Sequence, residues 1–164
     1  METVAERSEI WARPASAPFR HVLQYDTRAK SQIRSITEDL ERLIAELGVD
    51  SGTLLVYSLH TTLGLIVQET SEPNLCEDFV DFLTALVEDN GHRYKHRCAL
   101  HPSGTCTEDR FNGPSHVRQL LVNQSLVLDI QGGRPALGRW QDVALVELDG
   151  PRQGRQILVK IVPE

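Results

Sequence analysis

The sequence has little of what marks membrane-spanning, secreted or nucleic-acid-binding proteins. Its apolar runs are all shorter than the roughly eighteen residues that a membrane-spanning helix needs, and its N-terminal segment contains no signal-peptide core. The three cysteines are odd in number and form no CxxC motif, so a disulfide framework is not predicted. With 17 Lys and Arg against 23 Asp and Glu, the net charge of −6 leaves no basic face for a phosphate backbone. We therefore expect a cytoplasmic protein that binds neither membranes nor nucleic acid.

Several catalytic signatures are also absent. The chain has no GxGxxG motif, no P-loop, no HExxH and no GxSxG, so dinucleotide-binding folds, P-loop enzymes, zinc proteases and α/β hydrolases lack their usual sequence support. The 164 residues, 40% of them hydrophobic and 24% charged, instead predict one globular domain with a buried core. Residues 1–18 follow no periodic pattern and are predicted to form a flexible arm, whereas residues 19–164 form the domain.

The hydrophobic pattern predicts more strands than helices. Strands are predicted at residues 19–25, 53–60, 63–68, 125–130, 142–148 and 156–162. Helices are predicted from a capping box at Ser35 to a left-handed cap at Gly48, from residues 71–73 to 89, and as a short turn over 116–122. Because the strands follow each other through short connections, we expect an α+β domain with a mostly antiparallel or mixed sheet and two to three helices.

The polar segment 92–115 contains most of the histidines and cysteines. A loop of this length is uncommon in a compact domain unless it has a function. Its imidazoles and thiols are the ligands that zinc prefers, yet their spacing matches no common zinc finger, which argues against a closed structural zinc site. These residues are His92, His96, Cys98, His101 and Cys106.

Two histidines lie where element ends meet loops. His60 ends a predicted buried strand and precedes Thr61 and Thr62, a place where rigid scaffolds present site residues. The residues alone favour the alternative, a histidine that is simply hydrogen-bonded at a strand end. Ser115 and His116 begin a short helix, whose amides attract anions and whose histidine can bind a proton or a metal. The alternative is a capped surface helix.

The run from Arg139 to Gln141 places a large aromatic side chain between a cation and an amide at the entry to a strand. Such a tryptophan forms either the wall of a pocket or an anchor in the core. The chemistry of the three side chains alone favours neither.

Taken together, these segments resemble the YjbQ-like family, often named secondary thiamine-phosphate synthase. The similar strings run in order from about residue 19 to the C-terminus. They are HTTLGLIVQE at 60–69, YKH at 94–96, PSHV at 114–117, LGRWQ at 137–141 and ELDGPR at 147–152.

The resemblance implies a compact α+β fold, a homotrimer, and a site at which His60, His96 and His116 meet, sometimes around a divalent metal such as zinc or magnesium. Glu69 matches the acidic position of the family, as a group that orients a histidine or as a general base. Substrate contacts are expected from Thr61, Thr62, Ser115, Arg139, Trp140 and Gln141. The chain departs from the family pattern in its long 97–115 segment and in Arg139, where a small residue is more usual.

The resemblance implies transferase chemistry on small phosphorylated metabolites, joining a pyrimidine diphosphate to a thiazole phosphate with loss of diphosphate. Three neutral imidazoles and a water form an open zinc site, which suits this reaction or metal-dependent hydrolysis of another phosphorylated metabolite. Without metal, protonated imidazoles would hold the phosphate together with helix-start amides. A trimeric metal-binding or ligand-binding module without catalytic activity is the third alternative.

Overall fold

The computed structural model of the chain describes residues 18–90, 93–97, 100 and 111–164. The predicted N-terminal arm lies outside the described residues except for Pro18. Four of the five candidate ligands of the structural zinc site also lie outside them, and only His96 is described.

The described residues form eight strands and three helices. In chain order they are β1 (Phe19–Tyr25), β2 (Gln32–Ser35), α1 (Thr37–Leu47), β3 (Gly52–Ser58), β4 (Leu63–Gln68), α2 (Pro73–Leu86), α3 (Gly113–Gln119), β5 (Ser125–Gln131), β6 (Arg134–Pro135), β7 (Asp142–Glu147) and β8 (Arg155–Pro163). None of these helices is long and apolar enough to cross a membrane.

The strands form two antiparallel sheets, which confirms the predicted α+β class. The larger sheet has the order β1-β8-β3-β5-β6 and the smaller one the order β2-β7-β4. Alternate residues of β8, namely Ile157, Val159 and Ile161, are fully buried, as the period of two in the sequence predicts. One hydrophobic cluster joins the inner faces of both sheets to the apolar stripe of α1. The two sheets and this helix therefore share a core.

Helix α1 begins two residues later than predicted. Ser35 ends strand β2, the N-cap is Ile36, and no side chain caps the helix, so the predicted capping box is wrong. The Ser35 hydroxyl instead accepts a hydrogen bond of 3.3 Å from the Thr37 amide. Pairing of β2 with β7 holds Ser35 in the smaller sheet, and this pairing takes precedence over the local helix signal. The predicted left-handed cap at Gly48 is confirmed by its φ of 65°.

Helix α2 begins at Pro73, and its apolar face is only partly covered. The Glu72 side chain accepts hydrogen bonds from the first free amides of the helix. Of the apolar side chains predicted to share one face, Leu83 is buried against the smaller sheet, whereas Phe82 and Leu86 are mostly exposed. Periodicity identified the helix, but the fold of one chain does not bury the whole face.

Gly64, in β4, lies against the side chain of Val122. A Cβ atom at position 64 would be 2.0 Å from Cγ2 of Val122, far inside van der Waals contact. We expect Gly64→Ala to lower the free energy of unfolding by about 1–3 kcal/mol, measured by urea denaturation, because overpacking forces neighbouring atoms to shift. Adding Val122→Ala removes the opposing methyl groups and should restore part of the loss. Equal urea midpoints for Gly64→Ala and the unchanged chain would refute this contact.

Candidate functional site

The connection between β3 and β4 presents the first predicted site residue, His60. The buried Ser58 hydroxyl donates a 2.7 Å hydrogen bond to the Leu63 carbonyl and thereby closes the turn. The Gln124 side-chain amide donates to the His60 carbonyl at 3.2 Å, tying the turn to the residue before β5. Beside it lies a cavity of about 300 Å³, lined in part by Tyr57, His60 and Gln124. Hydrogen bonds thus fix the conformation of the turn, and a cavity lies next to it.

The His60 ring is fixed in one neutral tautomer. Its Nε2 atom accepts a 2.8 Å hydrogen bond from the Gln156 amide, so the ring proton lies on Nδ1. Burial lowers the pKa of His60, and the positive charge of Arg155 lowers it further, against a smaller opposite effect of Glu147. His60 is therefore uncharged at neutral pH, and its Nε2 atom is engaged in the hydrogen bond from the Gln156 amide.

His116 and His96 are in direct contact. Their ring centroids are 4.8 Å apart, and the ring planes meet at 73° in an edge arrangement. Burial lowers the pKa of His116 and so does the charge of His96, while Asp149 and the Thr61 backbone act in the opposite direction. Burial and the neighbouring His96 ring thus favour the neutral form of His116. The interaction with Thr61 connects this pair to the His60 turn.

Two buried carboxylates at the end of β7 support these rings. Glu147 is fully buried and pairs with Arg155, whose Nε lies 2.6 Å from Oε2 of Glu147. Asp149 accepts a 2.9 Å hydrogen bond from the Asn112 side chain and an ion pair from Arg152. Sequence reasoning gave neither carboxylate a role, although charges directly after the apolar run of β7 were a readable signal.

The predicted hydroxyl ligands differ in availability. Thr61 is exposed in the turn. The Thr62 hydroxyl accepts a 3.0 Å hydrogen bond from Arg155, and the Ser115 hydroxyl donates a 2.5 Å hydrogen bond to the Leu148 carbonyl. Both Thr62 and Ser115 are buried. Only Thr61 of these three therefore presents a hydroxyl to solvent, whereas the other two hold the site together.

The three histidines that the resemblance implies as metal ligands, His60, His96 and His116, are not assembled into a metal site. Among the residues that the structure describes, no group of three or more His, Cys, Asp or Glu side chains is placed to hold a metal ion. His96 and His116 meet, but Nε2 of His60 is taken by the Gln156 amide. The described residues thus do not fit the metal that the resemblance implies.

The remaining predicted site residues lie at the other end of the smaller sheet. In the antiparallel register of β4 and β7, Leu63 pairs with Glu147 beside the histidines and Gln68 pairs with Asp142 far from them. At a rise of roughly 3.3 Å per residue, Glu69 is about 20 Å from the His60 turn. Residues 139–141 directly precede Asp142 and lie at that far end too. Within one chain, the histidines therefore lie apart from Glu69 and residues 139–141.

Trp140 is a surface residue rather than a core anchor. Its side chain is 61% exposed, and the Arg139 guanidinium lies 4.8 Å from the centre of its ring. The Gln141 side chain accepts a 2.8 Å hydrogen bond from the Gly138 amide and so shapes the turn before β7. Of the two alternatives open from the sequence, the exposed position excludes the core anchor.

The two depressed histidines predict loss of stability in weak acid. Since burial lowers the pKa of His60 and of His116 below 6.5, the unfolded chain binds protons first as the pH falls through 6.5. We expect the contribution of these two histidines to the free energy of unfolding to be constant above that pH and to decrease below it. Urea midpoints at about pH 7.5 and about pH 5.5 measure the fall. His60→Gln should reduce it, and an unchanged fall would contradict this role of His60.

Comparisons with known proteins agree on one family. The family model described as UPF0047 protein YjbQ-like matches residues 21–164. A UPF0047 protein of Archaeoglobus fulgidus is 34% identical over 140 residues, covering 84% of this chain and 97% of the relative. A UPF0047 protein of Methanocaldococcus jannaschii is 31% identical over 139 residues, with 85% and 91% covered.

Two solved structures share the fold. A hypothetical protein of Aeropyrum pernix has a TM-score of 0.73 at 29% identity, covering 89% of this chain and 99% of the other. A YbjQ-like protein of Sulfolobus solfataricus has a TM-score of 0.74 at 24% identity, with 90% and 99% covered. These similarities agree with the two-sheet architecture described above.

Proposed function

Because the chain belongs to the UPF0047 YjbQ-like family, we propose that it is a transferase for small phosphorylated metabolites. The reaction proposed is the one expected from the resemblance, formation of thiamine phosphate. A nitrogen of the thiazole phosphate attacks the pyrimidine-bound carbon that carries the diphosphate. The carbon–oxygen bond breaks, and its electron pair leaves with the diphosphate.

The contact between His96 and His116 is the observation that carries this proposal. The two rings lie 4.8 Å apart, and burial lowers the pKa of His116, so a neutral His116 ring stands next to a second imidazole. A ring of the pair that is protonated stabilises the leaving diphosphate and donates its proton to the diphosphate oxygen. The diphosphate departs with that proton, and the ring takes up another from water before the next turnover. Thr61, exposed in the adjacent turn, adds a hydroxyl for a phosphate oxygen.

An assay with purified chain tests the reaction directly. Both substrates are supplied, with and without a chelator, and thiamine phosphate and diphosphate are measured together. Equal amounts of the two products are expected, and chelation should leave the rate unchanged. Release of inorganic phosphate without thiamine phosphate would replace the proposal by a phosphatase activity. Ligand binding without any turnover would favour a binding module.

We further propose that the active assembly is a homotrimer located in the cytoplasm, in which a neighbouring copy completes each site. The separation of about 20 Å between the histidines and Glu69 supports this, because residues at both ends of one sheet can act together only across two copies. The exposed Trp140 supports it as well, since a large aromatic side chain gains most when a partner covers it.

Mixing two variants of reduced activity tests whether a site is shared between neighbouring copies. His116→Ala and Trp140→Ala are each expected to reduce turnover, and mixed trimers should regain activity because some interfaces then carry both native residues. Sedimentation analysis verifies that mixed assemblies form. A mixture that forms mixed trimers without regaining activity would contradict the shared site, and a monomeric native chain would contradict the trimer. Neither result affects the assay of the reaction itself.

A further inference from the structure

The outer face of the larger sheet is apolar, and nothing in the described part of the chain buries it. The inner face packs on α1, whereas the outward-facing side chains of β1, β3, β5 and β8 are all exposed or half-buried. An antiparallel sheet that turns one face to water usually carries polar side chains there. The apolar side chains on this outer face are Val22, Leu55, Tyr57, Val127, Leu158 and Val162.

The register of the strands joins these side chains into one patch. Val22 of β1 pairs with Leu158 of β8, which in turn pairs with Tyr57 of β3. Leu55, two residues before Tyr57, pairs with Val127 of β5, whose side chain is 67% exposed. Since neighbouring strands lie about 4.8 Å apart, the patch extends roughly 14 Å across four strands. A contiguous apolar surface of this kind indicates an interaction site.

Helix α2 presents a second apolar surface to solvent. Phe82 is 65% exposed and Leu86 is 56% exposed, and their spacing of four residues places them on one side of the helix. The neighbouring side of α2 buries Leu83 against the smaller sheet. Helices pack on sheets through such apolar stripes. The chain therefore carries an uncovered sheet face and an uncovered helix stripe that match each other in kind.

The charges of the two surfaces are opposite in sign. Arg20 and Lys160 pair in register on the sheet face, whereas Asp129 is its carboxylate on β5, two strands away from β8. Helix α2 contains three carboxylates and no lysine or arginine, and Asp78 and Asp81 lie within about one turn of the exposed phenylalanine. Among the described residues, neither these two cations nor these two helix carboxylates form an ion pair. All four charges are thus available to a partner.

The two surfaces also adjoin the two halves of the proposed shared site. Tyr57, on the sheet face, lines the cavity beside His60. Thr70, three residues before α2, donates hydrogen bonds to Asp142, two residues after Trp140. Contact between the sheet face of one copy and α2 of the next therefore extends the interface that a shared site requires.

From these observations we propose that the side of α2 with Phe82 and Leu86 docks on the outer face of the larger sheet of a second copy. This inference rests on the proposed homotrimer and specifies the contact that builds it. The carboxylates of α2 then face the cations of the neighbouring sheet. Because every copy offers both surfaces and the two surfaces differ, the contact is head-to-tail, and three such contacts close a ring.

Two variants that each block one surface test the contact. Phe82→Asp adds a charge to the helix stripe and Val127→Asp adds one to the sheet face, at side chains that are mostly exposed. Sedimentation of each variant alone is expected to show monomers, with native circular dichroism. An equimolar mixture should form dimers and no trimers, because one intact helix stripe can meet one intact sheet face and both remaining surfaces are blocked.

Ala45→Asp, at an exposed position of α1, is the matched control and should remain trimeric. Lys160→Glu keeps the apolar patch and should weaken association about tenfold, because it places like charges together. Trimers that persist in Phe82→Asp, or a mixture of the two blocked variants that stays monomeric, would overturn this contact and leave the trimer itself standing. A monomeric native chain would refute the trimer and this contact together, and the assay of the reaction is independent of both.

Discussion

The Glu147→Ala variant is expected to lose about 3–5 kcal/mol of unfolding free energy, because removal of one partner leaves a buried charge uncompensated. Glu147 is fully buried at the end of β7, and Arg155, its partner, is buried as well. The Glu147 carboxylate also accepts hydrogen bonds from the Thr27 hydroxyl at 2.9 Å and from the amides of Leu148 and Asp149. Truncation therefore leaves Arg155 without its carboxylate partner and removes one acceptor from a hydroxyl and two amides.

Urea denaturation at neutral pH measures this loss. Glu38→Ala, at an exposed carboxylate of α1, is the matched control and should change the free energy by no more than about 0.5 kcal/mol. The double variant Glu147→Leu with Arg155→Met removes both charges and should recover much of the loss. If Glu147→Ala were as stable as the control variant, the buried pair would have no role in holding the His60 turn.

The His116→Ala variant is expected to lower turnover about 10²–10⁴-fold in the thiamine phosphate assay, the usual contribution of a general acid–base group. Its pKa is lowered by burial and by His96, which keeps the ring available as a proton acceptor near neutrality. A variant that lacks the ring leaves only His96 of the contacting pair. The Michaelis constant should change much less than the turnover number.

Two further measurements separate a catalytic loss from a structural one. His21→Asn, on the edge strand β1, removes a half-buried imidazole far along the chain from the site and should keep full turnover. The double variant of His96 and His116 should be little worse than either single variant, because two groups that act as a unit are not additive. Full turnover of a folded His116→Ala would remove the pair from the mechanism.

The elements were predictable from sequence where local pattern and tertiary packing agree. Strand β1 matches the predicted residues 19–25, and the alternating burial of β8 follows the sequence period. The short strand β2 was not predicted, because its four residues are held by pairing with β7, more than a hundred positions away. The same pairing explains why Ser35 does not cap α1. Errors thus lie where a distant strand decides the local structure.

The candidate site was predictable in its residue types but not in its arrangement. The family resemblance directed attention to His60, His96 and His116, and the structure brings the last two into contact. The Gln156 amide that occupies His60 belongs to β8, and no local motif indicates this bond. The register of β4 and β7, which moves Glu69 to the far end of the sheet, follows from pairing and not from spacing in the chain.

The exposure of Trp140 gives this protein a built-in optical reporter. Its side chain is mostly exposed to water, at the end of the smaller sheet where the second copy is proposed to dock. Docking would exchange that water for protein, which shifts indole emission to shorter wavelengths. Dilution of a Trp11→Phe chain, in which Trp140 is the single tryptophan, would then follow assembly as a change of colour. The same signal needs neither substrate nor knowledge of the reaction.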